Sequence, residues 1–185
     1  MSLSTIELEV LETIFLNSKQ IEAKQISNES GIESASTMLH LTELIRRGYV
    51  KSPKKDLYML TDEGKKALGV QPITKETAKN IVSYTPHDRA FNFYADTDKP
   101  LHMHAHSLQD FANKLAKVDL KTIEYHMDRN DFETWLKFLG DQELVKKIKI
   151  IKEKKIIGEQ LRLLLHKTVE QHCQELRKLT DQTTL

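Results

Sequence analysis

The chain has 185 residues, 39% of them hydrophobic and 30% charged, with a formal net charge of +1. That balance fits a globular protein of one or two domains and excludes a disordered or fibrous one. No apolar run approaches the ~20 residues of a membrane span, the acidic amphipathic start does not read as a signal peptide, and the single cysteine, Cys173, can form neither an intramolecular disulfide nor a zinc cage, so a cytoplasmic location is expected.

Ser4 followed by Glu7 spells a capping box, and Ile6, Val10, Leu11, Ile14 and Phe15 continue it as an amphipathic helix. A second helix is predicted from about Ala23 to Ser30, ended by Gly31. A third spans about Ser34 to Arg47 and stops at Gly48. At ~100° per residue, Thr37, Met38, Leu41, Leu44 and Ile45 share one arc of this third helix, which is expected to face the core. The opposite arc carries Ser36, Leu39, His40, Glu43 and Arg47. A hairpin should follow, Tyr49 to Lys51 and Leu57 to Leu60, with Pro53 and Asp56 breaking the strands and Lys54 and Lys55 at the apex. Thr61 caps the next helix, which contains Gly64.

Gly69-Val70-Gln71-Pro72 reads as a domain boundary. Beyond it, Thr74 caps a short helix, Arg89 to Tyr94 alternates like a strand, Lys99-Pro100 marks a turn, and Leu101 to His106 reads as a second strand. Ser107 caps a helix carrying Leu108, Phe111, Leu115 and Val118, and Asp131 is placed to cap another containing Trp135. The last stretch, Asp141 to about Leu179, is helical with a weak point at Gly158. The expected fold is therefore mainly α with small β elements. It comprises a winged helix over residues 1–68, a small α+β domain over 73–145 and a coiled-coil-like segment over 146–180.

The order helix, Gly31-Ile32, Ser36-Thr37, Leu41, Leu44, Arg47-Gly48-Tyr49-Val50, then Tyr58-Met59-Leu60-Thr61-Asp62-Glu63-Gly64 resembles the winged-helix transcription regulators of bacteria and archaea. The resemblance implies a DNA-binding regulator, with the 34–47 helix in a groove of double-stranded DNA and the wing on the backbone. Ser36, His40 and Arg47 would then face bases, and Lys54 and Lys55 phosphates. Such domains also serve as protein-docking modules, so an adaptor without DNA binding is the alternative. Residues ~73–150 resemble a functionally uncharacterised prokaryotic domain, sometimes appended to enzymes of carbohydrate metabolism. The match rests on Ala90-Phe91-Asn92-Phe93-Tyr94, Ser107 to Phe111, His126 to Phe132, Trp135 and Leu139-Gly140-Asp141; it departs from the domain at Leu101 to His106. It implies a discrete domain and no activity.

Residues 1–70 carry 9 basic and 10 acidic groups, whereas residues 146–180 carry 10 and 4, so the basic surplus lies outside the winged segment. That weakens the DNA reading and favours the adaptor. The lysines of 146–155 read either as a second backbone contact or as the solvated face of a helix. His102, His104 and His106 alternate and would share a strand face, a candidate zinc or copper site with His87 nearby; an exposed histidine strand is the plainer reading. His126, Arg129, Asp131 and Trp135 form the densest polar cluster, either a sugar or phosphate site or a local ion pair beside a core tryptophan. No phosphate loop, nucleophile elbow or paired catalytic carboxylates occur, so neither an enzyme nor a cofactor is expected. Leu165, Val169, His172, Leu176 and Leu179 are spaced as a helical seam, and a homodimer through residues ~159–180 is expected. A protein or small-molecule effector for the second domain stays unidentified.

Overall fold

The computed structural model describes residues 3–17 and 20–181. The chain divides into two compact units, Met1–Pro72 and Ile73–Leu185. Both are mainly helical with small antiparallel sheets.

The first unit runs α1 (Thr5–Leu16), β1 (Ile21–Glu22), α2 (Ala23–Ser30), α3 (Ser34–Arg46), β2 (Val50–Lys54), β3 (Leu57–Leu60) and α4 (Asp62–Ala67). Its sheet has the order β1-β3-β2, so the hairpin is braced by a strand contributed before α2. The β2–β3 hairpin stands where the resemblance places the wing. The capping box at Ser4 closes as the spelling requires: Glu7 N–H donates to Ser4 Oγ, and Ser4 N–H donates to Glu7 Oε2. Gly31 and Gly48 both take left-handed backbone after their helices. Gly64 is needed for a different reason. A Cβ there would lie 2.1 Å from the Tyr49 carbonyl oxygen, so only a glycine lets α4 close over the start of the hairpin.

Two details of this unit differ from the periodicity argument. Met38 and Ile45 are exposed rather than buried; only Thr37, Leu41 and Leu44 of α3 are fully covered. The domain is too small to wrap the helix, and residues at the edge of its apolar arc are left out. Pro53 does not break its strand either. It sits in β2, an edge strand, where the register shifts between Lys51 and Lys54, and an edge tolerates the missing N–H. The turn is Lys55-Asp56, with Asp56 at φ 58°.

The second unit consists of α5 (Lys75–Val82), a 3-10 turn (His87–Arg89), β4 (Phe91–Asp96), β5 (Lys99–Ala105), α6 (Leu108–Leu115), α7 (Leu120–Arg129), α8 (Asp131–Leu139), α9 (Gln142–Glu153) and α10 (Gly158–Asp181). The 146–180 segment thus belongs to the same compact unit as residues 73–145. α10 packs on α5, α6, α7 and α9, and the β4–β5 hairpin lies on α7. Phe91, Phe93, Phe111, Phe132 and Trp135 form one aromatic cluster, with neighbouring ring centroids 4.8 to 6.0 Å apart. Burying rings of this size stabilises by about 1.5–3 kcal/mol each.

The β4–β5 turn falls at Thr97-Asp98, earlier than Lys99-Pro100, because Asp98 accepts the left-handed conformation and Pro100 is carried inside β5. Asp131 is the first residue of α8 rather than its cap. Asn130, left-handed, makes the α7–α8 junction, and the Asp131 carboxylate turns to His126 and Arg129.

The expected dimer seam does not survive folding. Leu165, Val169, His172 and Leu176 are buried inside the protomer, and Leu179 is half-buried. α10 is the central helix of its own unit, so the stripe is consumed by α5, α6, α7 and α9. The lysine run is likewise not a uniform solvated face. Lys147 is 1% exposed and ion-paired to Glu143 at 3.4 Å. Lys152 donates to the Met127 carbonyl at 2.6 Å and to Asn130 Oδ1 at 2.9 Å, closing the end of α7.

Candidate functional site

The outer surface of α3 is shaped by what the first unit withholds from it. Arg47 lies one residue beyond α3 and faces α1. Its guanidinium donates to Glu7 Oε1 at 3.0 Å and lies over the Tyr49 ring at 4.9 Å, with the side chain 14% exposed. It is not placed to read bases. Glu43 and Arg46 neutralise each other at 2.7 Å. Ser36 and His40 are half-exposed. The most open apolar side chain of the helix is Leu39 at 68%, with Met38 and Ile45 also exposed. The face is thus short of charge and rich in aliphatic surface.

The wing has the opposite character. Lys51, Lys54 and Lys55 are exposed and have no ion-pair partner among the described residues. β2, which carries Lys51 and Lys54, packs on α3. Three free ammonium groups therefore stand beside the helix.

In the second unit, the register of β5 shifts between Met103 and Pro100, and His102 sits in that irregularity at φ 51°. The expected row of three imidazoles is broken. His104 and His106 instead gather with His87, at ring-centroid distances of 4.4 Å (His87–His104) and 5.8 Å (His87–His106). His104 is hydrogen-bonded to Asn92, and its pKa is lowered by desolvation and by the neighbouring histidines. His106 Nδ1 donates to the Thr85 carbonyl at 3.0 Å. Among the described residues, the group of three with ligand atoms close enough to hold a metal lies elsewhere, at Glu143, His172 and Glu175.

That second group is carried by α9 and α10, with Glu143 and His172 buried and Glu175 half-buried. His172 Nε2–H donates to the Asp141 carboxylate at 2.9 Å, and Asp141 in turn caps α9 by accepting from Leu144 N–H. His172 Nδ1 faces Glu143 at 3.8 Å. The Lys147 ammonium beside Glu143 already supplies positive charge. The arrangement is a buried ion network that joins the two helices. Periodicity alone could not find it, because its central bond joins positions 31 residues apart.

The cluster His126, Arg129, Asp131 and Trp135 is assembled, with divided tasks. His126, fully buried, accepts from Tyr94 N–H through Nε2 at 2.9 Å and donates from Nδ1 to Asp131 at 2.7 Å. Burial lowers its pKa, with Asp131 opposing, and accepting from Tyr94 N–H requires a bare Nε2. Trp135 Nε1–H donates to the Arg89 carbonyl at 3.1 Å. Arg129 stacks its guanidinium over Tyr125 at 5.2 Å and commits Nε to Asp131 at 3.2 Å. In front of this group lies a cavity of about 340 Å³, lined by Asn92, Tyr94, Thr97, Asp98, Tyr125 and Arg129 among others. Tyr94 and the turn residues gave no sequence signal, since only the hairpin register brings them to Tyr125 and Arg129 of α7.

Residues 73–170 match the model of a family of unknown function, DUF5752. The chain belongs to that family. The match covers the β4–β5 hairpin, the cavity, all of α9 and the first half of α10, and does not reach the first unit. No curated protein matches the chain, and no solved structure does. No helix among the described residues is long and apolar enough to cross a membrane.

Proposed function

We propose that the chain is a DNA-binding regulator in which the first unit lays α3 against a major groove and its wing against the adjoining backbone, while the DUF5752 unit senses or assembles. The observation that carries this reading is the set of free wing ammonium groups, Lys51, Lys54 and Lys55, on a hairpin packed against α3. Phosphate contacts supply most sequence-independent affinity. With Arg47 committed to Glu7, base reading falls to Ser36 and His40, with Leu39 against thymine methyl groups, so discrimination between sequences should be modest. A second copy reading a second half-site would have to meet the first through a surface other than the α10 stripe.

The exposed Met38, Leu39 and Ile45 favour a second reading, in which the same face docks on protein. Fluorescence anisotropy on mixed genomic fragments separates the two. Binding near ~50 mM salt that weakens steeply as salt rises supports the regulator. Absence of binding at that ionic strength leaves the adaptor.

A further inference from the structure

The cavity before Arg129 does not end at Asn92 and Asp131. Those two residues also border a second cavity, of about 370 Å³, floored by Trp135 and Phe138. We read the two cavities, which share Asn92 and Asp131, as one groove with a polar end and a more apolar end.

The polar end is organised rather than merely wet. Asp131 holds Arg129 through Nε, Tyr125 supports its flat face, and buried His126 fixes Asp131 from behind. The two terminal nitrogens of Arg129 have no partner among the described residues, and neither have the hydroxyls of Tyr94, Tyr125 and Thr97. Those groups donate. Against them stands one carboxylate not already engaged, Asp98 in the hairpin turn. An excess of donors around a forked guanidinium suits an oxyanion, which takes two parallel hydrogen bonds from the fork. At the other end, Phe138 is 57% exposed, an unusual state for a ring beside a core tryptophan, and it offers a flat aromatic surface with the Arg89 guanidinium 6.0 Å from its centroid.

We propose that this groove binds a small ligand bearing a carboxylate or phosphate-ester group on a flat apolar body, the oxyanion on Arg129 and the body across Trp135 and Phe138. This goes beyond the DNA-binding reading and stands or falls separately from it, since no residue of the first unit takes part.

Trp135 is the only tryptophan in the chain, so its emission reports on the groove directly. The full-length protein is titrated with phenyl phosphate, benzoate, inorganic phosphate and phenol, following emission and thermal unfolding. The expected result is a saturable change with phenyl phosphate, benzoate or both, and a weaker response to phosphate and to phenol. The stronger of the two arylated probes identifies the oxyanion. Arg129→Gln should weaken the better probe by about tenfold or more, as loss of charge-assisted hydrogen bonds requires, and Arg129→Lys should restore it only in part. Phe138→Ala should weaken the arylated probe and leave inorganic phosphate unchanged.

The proposal is overturned if no probe saturates at millimolar concentration, if phenol binds as well as the better arylated probe, or if Arg129→Gln leaves binding intact. Arg129 is 54% exposed, so its variants should fold. Should Arg129→Gln unfold nonetheless, Phe138→Ala decides: an arylated probe that binds it as it binds the parent protein ends the idea.

Discussion

Arg47 donates to the carboxylate of Glu7 across 40 residues, and this bond ties the end of α3 to the first turn of α1. Glu7 uses its other oxygen in the capping box with Ser4. One carboxylate therefore starts a helix and removes from the α3 surface the arginine that the helical wheel assigns to DNA.

The Ser4 N–H, with help from the Arg47 guanidinium, lowers the Glu7 pKa against the cost of burial. A carboxylate with a depressed folded pKa contributes stability above its unfolded value and loses it as pH falls through the folded one. The first unit should therefore weaken below about pH 4.3, the unfolded value for glutamate. Glu7→Gln should flatten that limb, and Arg47→Ala should lower the unfolding temperature without changing DNA affinity at low salt. Calorimetry across the acid range and anisotropy check both.

His126 brings a second acid-sensitive limb, in the second unit and at higher pH. Burial depresses its pKa, so the folded state disfavours the proton that the unfolded chain takes up near pH ~6.5. Stability is complete above that value and falls as pH drops through it toward the folded pKa. His126→Gln should remove this dependence below about pH 6.5, seen in denaturant midpoints.

Lys54→Ala/Lys55→Ala should reduce DNA affinity equally for all sequences. The slope of log affinity against log salt should fall by about two, one for each ammonium group removed from the phosphates. A slope unchanged by the double substitution would remove the wing from the interface.

Leu165→Ala tests where the α10 stripe is spent. In a dimer seam, the cost of the substitution would depend on protein concentration. In a protomer core it should amount to about 2–5 kcal/mol at every concentration, and urea unfolding at two concentrations distinguishes these.

Gly64→Ala should destabilise the first unit by about 1–3 kcal/mol, because the added methyl meets the Tyr49 carbonyl, a backbone atom that cannot step aside. The effect should appear in the unfolding of the first unit alone.

Local chemistry carries most of the secondary structure. The caps at Ser4, Thr61, Thr74 and Ser107, and the left-handed glycines at 31 and 48, are rules that act within one turn of chain, and the elements begin and end where those residues stand. The basic wing tip is legible for the same reason. What lies beyond the sequence is every question about which side of an element faces what. The stripe on α10 has one spacing whether a partner or the same chain covers it, and only the packing of α5, α6, α7 and α9 decides for the latter. The histidine alternation is real in sequence and cancelled by a bulge whose position depends on how β4 and β5 pair. Angle alone assigns Arg47 to the outside of α3, and a carboxylate 40 positions earlier draws it inward. The groove before Arg129 joins a hairpin turn to the ends of two helices, a juxtaposition that exists only once the chain has closed on itself.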